Sequence, residues 1–290
     1  MKKIVFGIFI LLTLTFFLQA DGQQKGLKIF ISVDMEGVSG VINWEDVNRD
    51  GKDYNLFRRL MTEEANAAVQ GALDAGATEI LVRDSHGSAR NILPDMLDQR
   101  AILLRDWSGG PMSMMEGIDE TFDAVIFIGY HAREGTPDAV LKHTMTGQID
   151  VFINGKNIPE AGINGAAAGY YGVPVVLVAG DAAIAQQAKN IFGDIETVAV
   201  KESIGTAAKM LHPKKAQELI RQKTNEALSN LSKYKPLKLQ TPITMEIVYK
   251  DEIDAHRASW FPGAKKTGER AVSYTHEDYI EILKFFMFVS

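Results

Sequence analysis

Short β-branched apolar runs alternate with segments of helical periodicity along most of this chain, and that alternation predicts an α/β fold. Six runs read as strands: LKIFISV (27–33), EILVRD (79–84), AILLRD (101–106), DAVIFIGY (123–130), VPVVLVAG (173–180) and TVAVK (197–201). Nearly all lack polar alternation, as expected for strands covered on both faces in a mostly parallel central sheet with flanking helices. Between the first two, Leu56, Leu60, Met61, Ala65, Ala68, Val69, Ala72 and Leu73 recur at helical spacing, and the pattern stops at Gly76. Residues 144–158 read as a hairpin turning at Asn154-Gly155. After about residue 201 the texture changes to a charged helix (213–231), a Pro-flanked linker, KPLKLQTP, a strand, ITMEIVY, and a closing strand and helix from Ala271 onward. The expected division is a main α/β domain over 26–201 and a smaller C-terminal α+β unit over 202–290.

The first twenty residues do not fit that texture. Lys2 and Lys3 precede an uncharged, apolar run over 4–18, and Ala20 offers a small residue for cleavage. The segment reads as a signal peptide over 1–20, being shorter than the roughly 20 apolar residues of a membrane span. The location expected from it is periplasmic or secreted, with no membrane anchor left after cleavage. The chain has no cysteine, which removes disulfide frameworks and thiolate metal sites from consideration. The formal charge is −6, and loss of residues 1–20, which carry two lysines and no acid, moves it to −8. That balance argues against a nucleic-acid partner. The densest basic stretch, 212–233, interleaves Glu218 and Glu226 and reads as a solvated helix face.

The chemistry gathers at strand ends. Asp34 and Glu36 stand two apart at the end of the first strand, so both side chains project the same way. Alone, the pair reads equally well as a loop start, with Asp34 capping and Glu36 solvated. The second strand, however, runs into DSHG and the fourth into GYHA, which puts His86 and His131 just past two further strand ends. In open α/β sheets that edge is where ligands bind. Imidazoles and carboxylates together are the ligand set of hydrolytic zinc, or of manganese, iron or cobalt where oxygen ligands dominate. Glu160 begins a helix rich in small residues and is oriented to reach the same crevice; by itself it would be an acid complementing the helix dipole. His143 follows the loop REGTPDAV and by itself would be a surface histidine.

The motifs SVDMEGVSG, MTEEANAA, VRDSHGSARN, MMEGID, FIGYHAREGTPDAVLKHTM and INGKNIPEAGINGAAAGYYGVPVVLVAGD, in this order, resemble those of the zinc-dependent D-aminopeptidases of the dipeptide-operon type. The resemblance runs from about Leu27 to the C-terminus and is tightest over 30–205. It implies two zinc ions per subunit, with manganese or cobalt as alternatives, bound by Asp34, Glu36, His86, His131 and Glu160. In that family pattern Asp34 matches the carboxylate shared by both ions, Glu36 and His131 the other ligands of one, and His86 and Glu160 those of the second. His143 matches the catalytic histidine. The implied substrates are short peptides, D-Ala-type at their N-terminus, and the implied assembly is a ring-shaped homo-oligomer, a decamer. Asp84 and main-chain carbonyls near Gly129 are the acceptors expected to orient the imidazoles. Two rival readings remain: another metal-dependent amidase or phosphoesterase, for which Arg83, Arg90 and Arg133 are the available cations, and a non-catalytic periplasmic peptide-binding protein.

Overall fold

The computed structural model describes residues 26–290. The segment read as a signal peptide lies outside them. The chain runs through β1 (Leu27–Val33), α1 (Trp44–Val47), α2 (Tyr54–Asp74), β2 (Ala77–Asp84), β3 (Ile102–Leu104), β4 (Ala124–Tyr130), β5 (Ile149–Ile153), β6 (Lys156–Asn157) and α3 (Glu160–Tyr170). It continues with β7 (Val175–Asp181), α4 (Ala182–Phe192), β8 (Glu196–Ile204), β9 (Ala207–Met210) and α5 (Pro213–Leu228). The last elements are β10 (Ile243–Tyr249), α6 (Glu252–Ala258), β11 (Lys265–Gly268), β12 (Ala271–His276) and α7 (Tyr279–Val289).

Seven strands form the main sheet in the order β3-β2-β1-β4-β7-β8-β9, parallel except for β9. The unbroken apolar runs have the expected cause: every residue of β4 and of β7 is buried. Helices cover both faces. α2 and α5 pack together on one, and α3 and α4 lie on the other, the sides to which right-handed crossovers lead when the chain moves left from β1 and right from β4. The strand order therefore reverses between β1 and β4, and a crevice opens outside their carboxyl ends.

The second sheet is antiparallel, ordered β11-β12-β10-β5-β6. Its two central strands β5 and β10 read buried and half-buried in turn, because only one face is packed, against α6 and α7. The hairpin turns at Asn154 (φ 48°) and Gly155 (φ 76°) as the sequence predicts. It pairs with β10, some ninety residues later, so the smaller sheet borrows its β5–β6 edge from the middle of the chain. Among the described residues no helix is long and apolar enough to cross a membrane.

Candidate metal centre

The crevice edge is built by close backbone approach. Asp34 N–H bonds the Ile128 carbonyl at 2.8 Å, extending the β1–β4 pairing by one residue, and Gly37 N–H bonds the Gly129 carbonyl at 2.7 Å. Gly129 adopts φ +72°, and a Cβ there would lie 2.1 Å from the Asp34 carbonyl oxygen. A Cβ on Gly37 would meet the Tyr130 carbonyl at 2.0 Å. Only glycine fits either place. Lys201, near the end of β8, completes the frame: its buried ammonium donates to the carbonyls of Glu36 (2.5 Å), Val38 (2.9 Å) and Val41 (2.5 Å). Burial pushes its pKa down to about 8, which still leaves a cation at neutral pH to hold the loop.

All five expected ligands and His143 meet in one cleft. Asp34, Glu36, His131, His143 and Glu160 are buried and His86 nearly so. Asp34 sits at the centre, with Oδ1 3.3 Å from His86 Nδ1 and Oδ2 3.4 Å from His131 Nε2. His86 Nδ1 also lies 3.0 Å from Glu36 Oε2, and His131 Nε2 lies 3.3 Å from Glu160 Oε1. The shortest contacts thus pair Glu36 with His86 and Glu160 with His131, one pair on each oxygen of Asp34. This differs from the Glu36–His131 and His86–Glu160 partition that the resemblance implies, although potential ligand atoms of Asp34, Glu36 and His131 do also fall within 4.8 Å of one another. His143 turns Nε2 toward Glu160 (3.7 Å) and Glu36 (3.9 Å). Its ring stacks on that of His131, centroids 4.0 Å apart, and Trp44 meets it edge-on at 5.2 Å.

Each imidazole is oriented by a main-chain carbonyl. His86 Nε2–H donates to Val47 at 3.0 Å, His131 Nδ1–H to Ala132 at 3.1 Å and His143 Nδ1–H to Leu141 at 2.8 Å. In each ring the other nitrogen is thereby turned into the cleft, toward the carboxylates. The expected acceptor Asp84 has a different task. It accepts from the main-chain N–H groups of Asn91 (2.6 Å) and Ile92 (2.7 Å) and from the Asn91 amide (2.7 Å), which in turn donates to the His86 carbonyl. Asp84 orders the loop that carries His86 and leaves the ring to Val47. The loop bearing His143 holds left-handed Asp138, Leu141 and Met145, strain of the kind that surrounding structure must impose. The Met145 N–H fixes Glu160 Oε1 at 2.6 Å.

Two observations test whether these residues suit a cation. Asp34 Oδ2 and His131 Nε2 are both buried and neither has a hydrogen-bond partner. Burial opposes protonation of His86 and His131, yet the charge of Glu36 on the first and of Glu160 on the second lifts both well above the ordinary imidazole value. Glu36 is held well below the usual carboxylate range, its burial outweighed by His86, and Glu160 is lowered in the same way by His131. Asp34 is raised, first by burial and then by Glu36. Three buried carboxylates therefore create a potential that draws positive charge into the cleft, and divalent ions satisfy it. The donor set, oxygen and imidazole nitrogen, fits zinc.

A family model described as D-aminopeptidase, Peptidase_M55, matches residues 27–288. The chain belongs to this family. It is a hydrolase that acts on peptides. It is 40% identical over 260 residues to a D-aminopeptidase of Bacillus subtilis (strain 168), covering 88% of this chain and 93% of that protein. The fold matches that of the Zn-dependent D-aminopeptidase DppA from Bacillus subtilis, described as a self-compartmentalizing protease, with a TM-score of 0.87, 37% identity and coverage of 90% and 96% of the two chains. An M55 hydrolase of this kind displaces the reading as a non-catalytic binding protein. The expectation of a periplasmic or secreted location is withdrawn. It rested on residues 1–20 alone, which lie outside both the family match and the described residues, and the solved relative is described as self-compartmentalizing.

Three residues that shape the M55 site carried no signal as side chains of known chemistry. Trp44 opens a helix of four residues, too short to show a periodic pattern; Lys201 ends an apolar run, VAVK, and its lone charge is the one available cue. Trp107 lines the cleft mouth, with its indole N–H on the Gly87 carbonyl at 2.8 Å and its ring over the buried Arg83 guanidinium at 4.6 Å.

Proposed function

We propose that the protein is a dinuclear-zinc aminopeptidase that removes N-terminal D-residues, D-Ala among them, from short peptides. Asp34, Glu36, His86, His131 and Glu160 would hold the ions, with Asp34, which faces both His86 and His131, as the carboxylate common to the two. The observation that carries this reading is the orientation of the imidazoles: each gives one N–H to a carbonyl and turns its other ring nitrogen toward the buried carboxylates. Bound zinc pairs supply Lewis-acid polarisation of a scissile carbonyl and lower the pKa of an attacking water.

The chain's own residues do the rest. His143 Nε2 carries no proton in the tautomer that Leu141 selects, and it lies beyond hydrogen-bond range of Glu36 and Glu160, so it is free to accept a proton from the attacking water. The stacked His131 ring and the edge of Trp44 hold that imidazole in place. The same nitrogen then returns the proton to the departing amine. Glu160 is kept in register by the Met145 N–H, and Lys201 keeps the main chain of Glu36 from shifting.

The cleft's lining contains neither Arg nor Lys, which speaks against a phosphoesterase. Arg83 lies beneath Trp107 with Nη1 on the Asp106 carbonyl at 2.6 Å, and Arg133 turns to the Glu134 carbonyl. The description of the solved relative as self-compartmentalizing supports an oligomeric assembly for this chain too, for which the family resemblance implies a ring-shaped decamer. The test is hydrolysis of D-Ala-D-Ala, L-Ala-L-Ala and p-nitrophenyl phosphate by chelated protein with zinc, manganese or cobalt added back. Zinc-restored cleavage of the D-dipeptide is expected; preference for the phosphoester would overturn the reading.

A further inference from the structure

A second cavity, about 240 Å³, opens beside the metal cleft. Trp107, Ser113 and Met145 line both spaces, so the two share a wall. The remainder of the second cavity is mainly apolar, with Ile163 and Ala167 of α3 on one side and Leu283 and Phe286 of α7 on the other.

Its position relative to the cleft follows from helix geometry. Glu160 is the first residue of α3, and Ile163, Asn164 and Ala167 follow at i+3, i+4 and i+7, on the same face. At about 1.5 Å per residue they stand roughly 4–11 Å along the axis from Glu160. An extended peptide advances about 3.4 Å per residue. A substrate whose scissile bond lies among the carboxylates therefore has a neighbouring side chain within reach of the cavity.

The walls are fixed by contacts already in place. Trp107 is held by the Gly87 carbonyl and the Arg83 guanidinium, and the Tyr279 hydroxyl donates to the Ile163 carbonyl at 2.9 Å, tying α7 to α3. The one amide on the cavity face of α3, Asn164, spends its N–H groups on the Tyr130 hydroxyl and the Met114 sulfur. A dry, apolar cavity of about 150 Å³ holds a benzene ring, so this volume is ample for a leucine, methionine or phenylalanine side chain and far too large for a methyl group.

We infer that this cavity is a side-chain subsite, and that the protein prefers short peptides with a bulky apolar residue flanking the scissile bond over peptides of alanine alone. This deepens the aminopeptidase reading and rests on it. In apolar pockets even one methylene is worth about 10-fold or more in kcat/KM. The zinc-loaded full chain is assayed on D-Ala-D-Ala, D-Phe-D-Ala and D-Ala-D-Phe. One of the two Phe peptides should exceed D-Ala-D-Ala by about 10-fold or more, and which one identifies the side of the bond that the cavity serves. Ala167→Phe, which fills the space, should bring that peptide down to parity and leave D-Ala-D-Ala within about threefold, with zinc content unchanged. Leu283→Trp does the same from the opposite wall and guards against a misfolded first variant.

Two equal Phe peptides no better than D-Ala-D-Ala would overturn the inference. So would variants that lower all three substrates alike, or that alter oligomeric state without moving selectivity, the sign of a second copy covering the cavity. If no D-peptide is cleaved, the aminopeptidase reading fails separately. The cavity is then read by calorimetry with D-phenylalaninamide and D-alaninamide, where about 10-fold tighter binding of the first, lost in Leu283→Trp, supports the subsite and equal binding refutes it.

Discussion

The two sheets of this protein divide its work. In the parallel sheet, β4 and β7 are buried along their whole length, so most side chains along those strands pack. The candidate ligands gather just past the strand ends, where Asp34 lies 3.3 Å from His86 and 3.4 Å from His131, and Glu36 lies 3.0 Å from His86. The antiparallel sheet has the opposite texture. Its strands β5 and β10 alternate, and among the described residues the candidate metal clusters all lie outside it. Its contribution is to seat α6 and α7, and through α7 the wall of the second cavity. Covering both faces of a sheet drives function to its edge; covering one face leaves a brace.

That contrast can be broken in order of effect. Asp34→Ala should abolish peptide hydrolysis altogether, since it removes the carboxylate assigned to both ions; residual turnover within tenfold of wild type would mean Asp34 is not shared. His143→Ala should retain bound zinc and lower kcat by about 10²–10⁴, the span of a general acid–base group. Loss of zinc in that variant would make His143 a ligand. Ile247→Ala in the centre of the antiparallel sheet, a fully buried position, should cost about 2–5 kcal/mol in denaturant unfolding while kcat per folded molecule stays near wild type. A matching fall in kcat would show that the brace is coupled to the cleft.

The smallest effect concerns a carboxylate of the parallel half outside the cleft. Glu64, on α2, accepts the Ser39 N–H at 2.8 Å, and burial raises its pKa to about 7. A carboxyl whose folded value exceeds its unfolded value favours the folded state when protonated, so its contribution is complete below about pH 4.5 and is lost as pH rises to about 7. The difference in unfolding free energy between Glu64→Gln and wild type should therefore grow in favour of the variant between these limits, by up to about 3 kcal/mol. A pH-independent difference would contradict it.

Much of the site was legible because strand-end position and residue type coincide. Unbroken apolar runs marked β1, β2 and β4, and the carboxylates and histidines that follow them could be read as neighbours once a parallel sheet was assumed. The hairpin turn at Asn154-Gly155 was equally plain, because backbone conformation there depends on two adjacent residues. Its partner was not, since the β5–β10 pairing joins segments about ninety residues apart and nothing local encodes it. The orientation of His86 by the Val47 carbonyl was hidden for a related reason: every residue has a carbonyl, so no side-chain pattern announces which one will serve. Asp84, the more conspicuous acceptor, orders the loop instead. The family pattern also paired the outer ligands differently from the contacts, a distinction that rests on which oxygen of Asp34 each imidazole faces.

The most direct test of the central claim is zinc stoichiometry, measured by elemental analysis on purified wild type and Asp34→Ala after dialysis against buffered zinc. Two ions per chain in the first and none in the second are expected. A single ion in wild type, or one ion retained at full occupancy without Asp34, would contradict a shared carboxylate at the switch between β1 and β4.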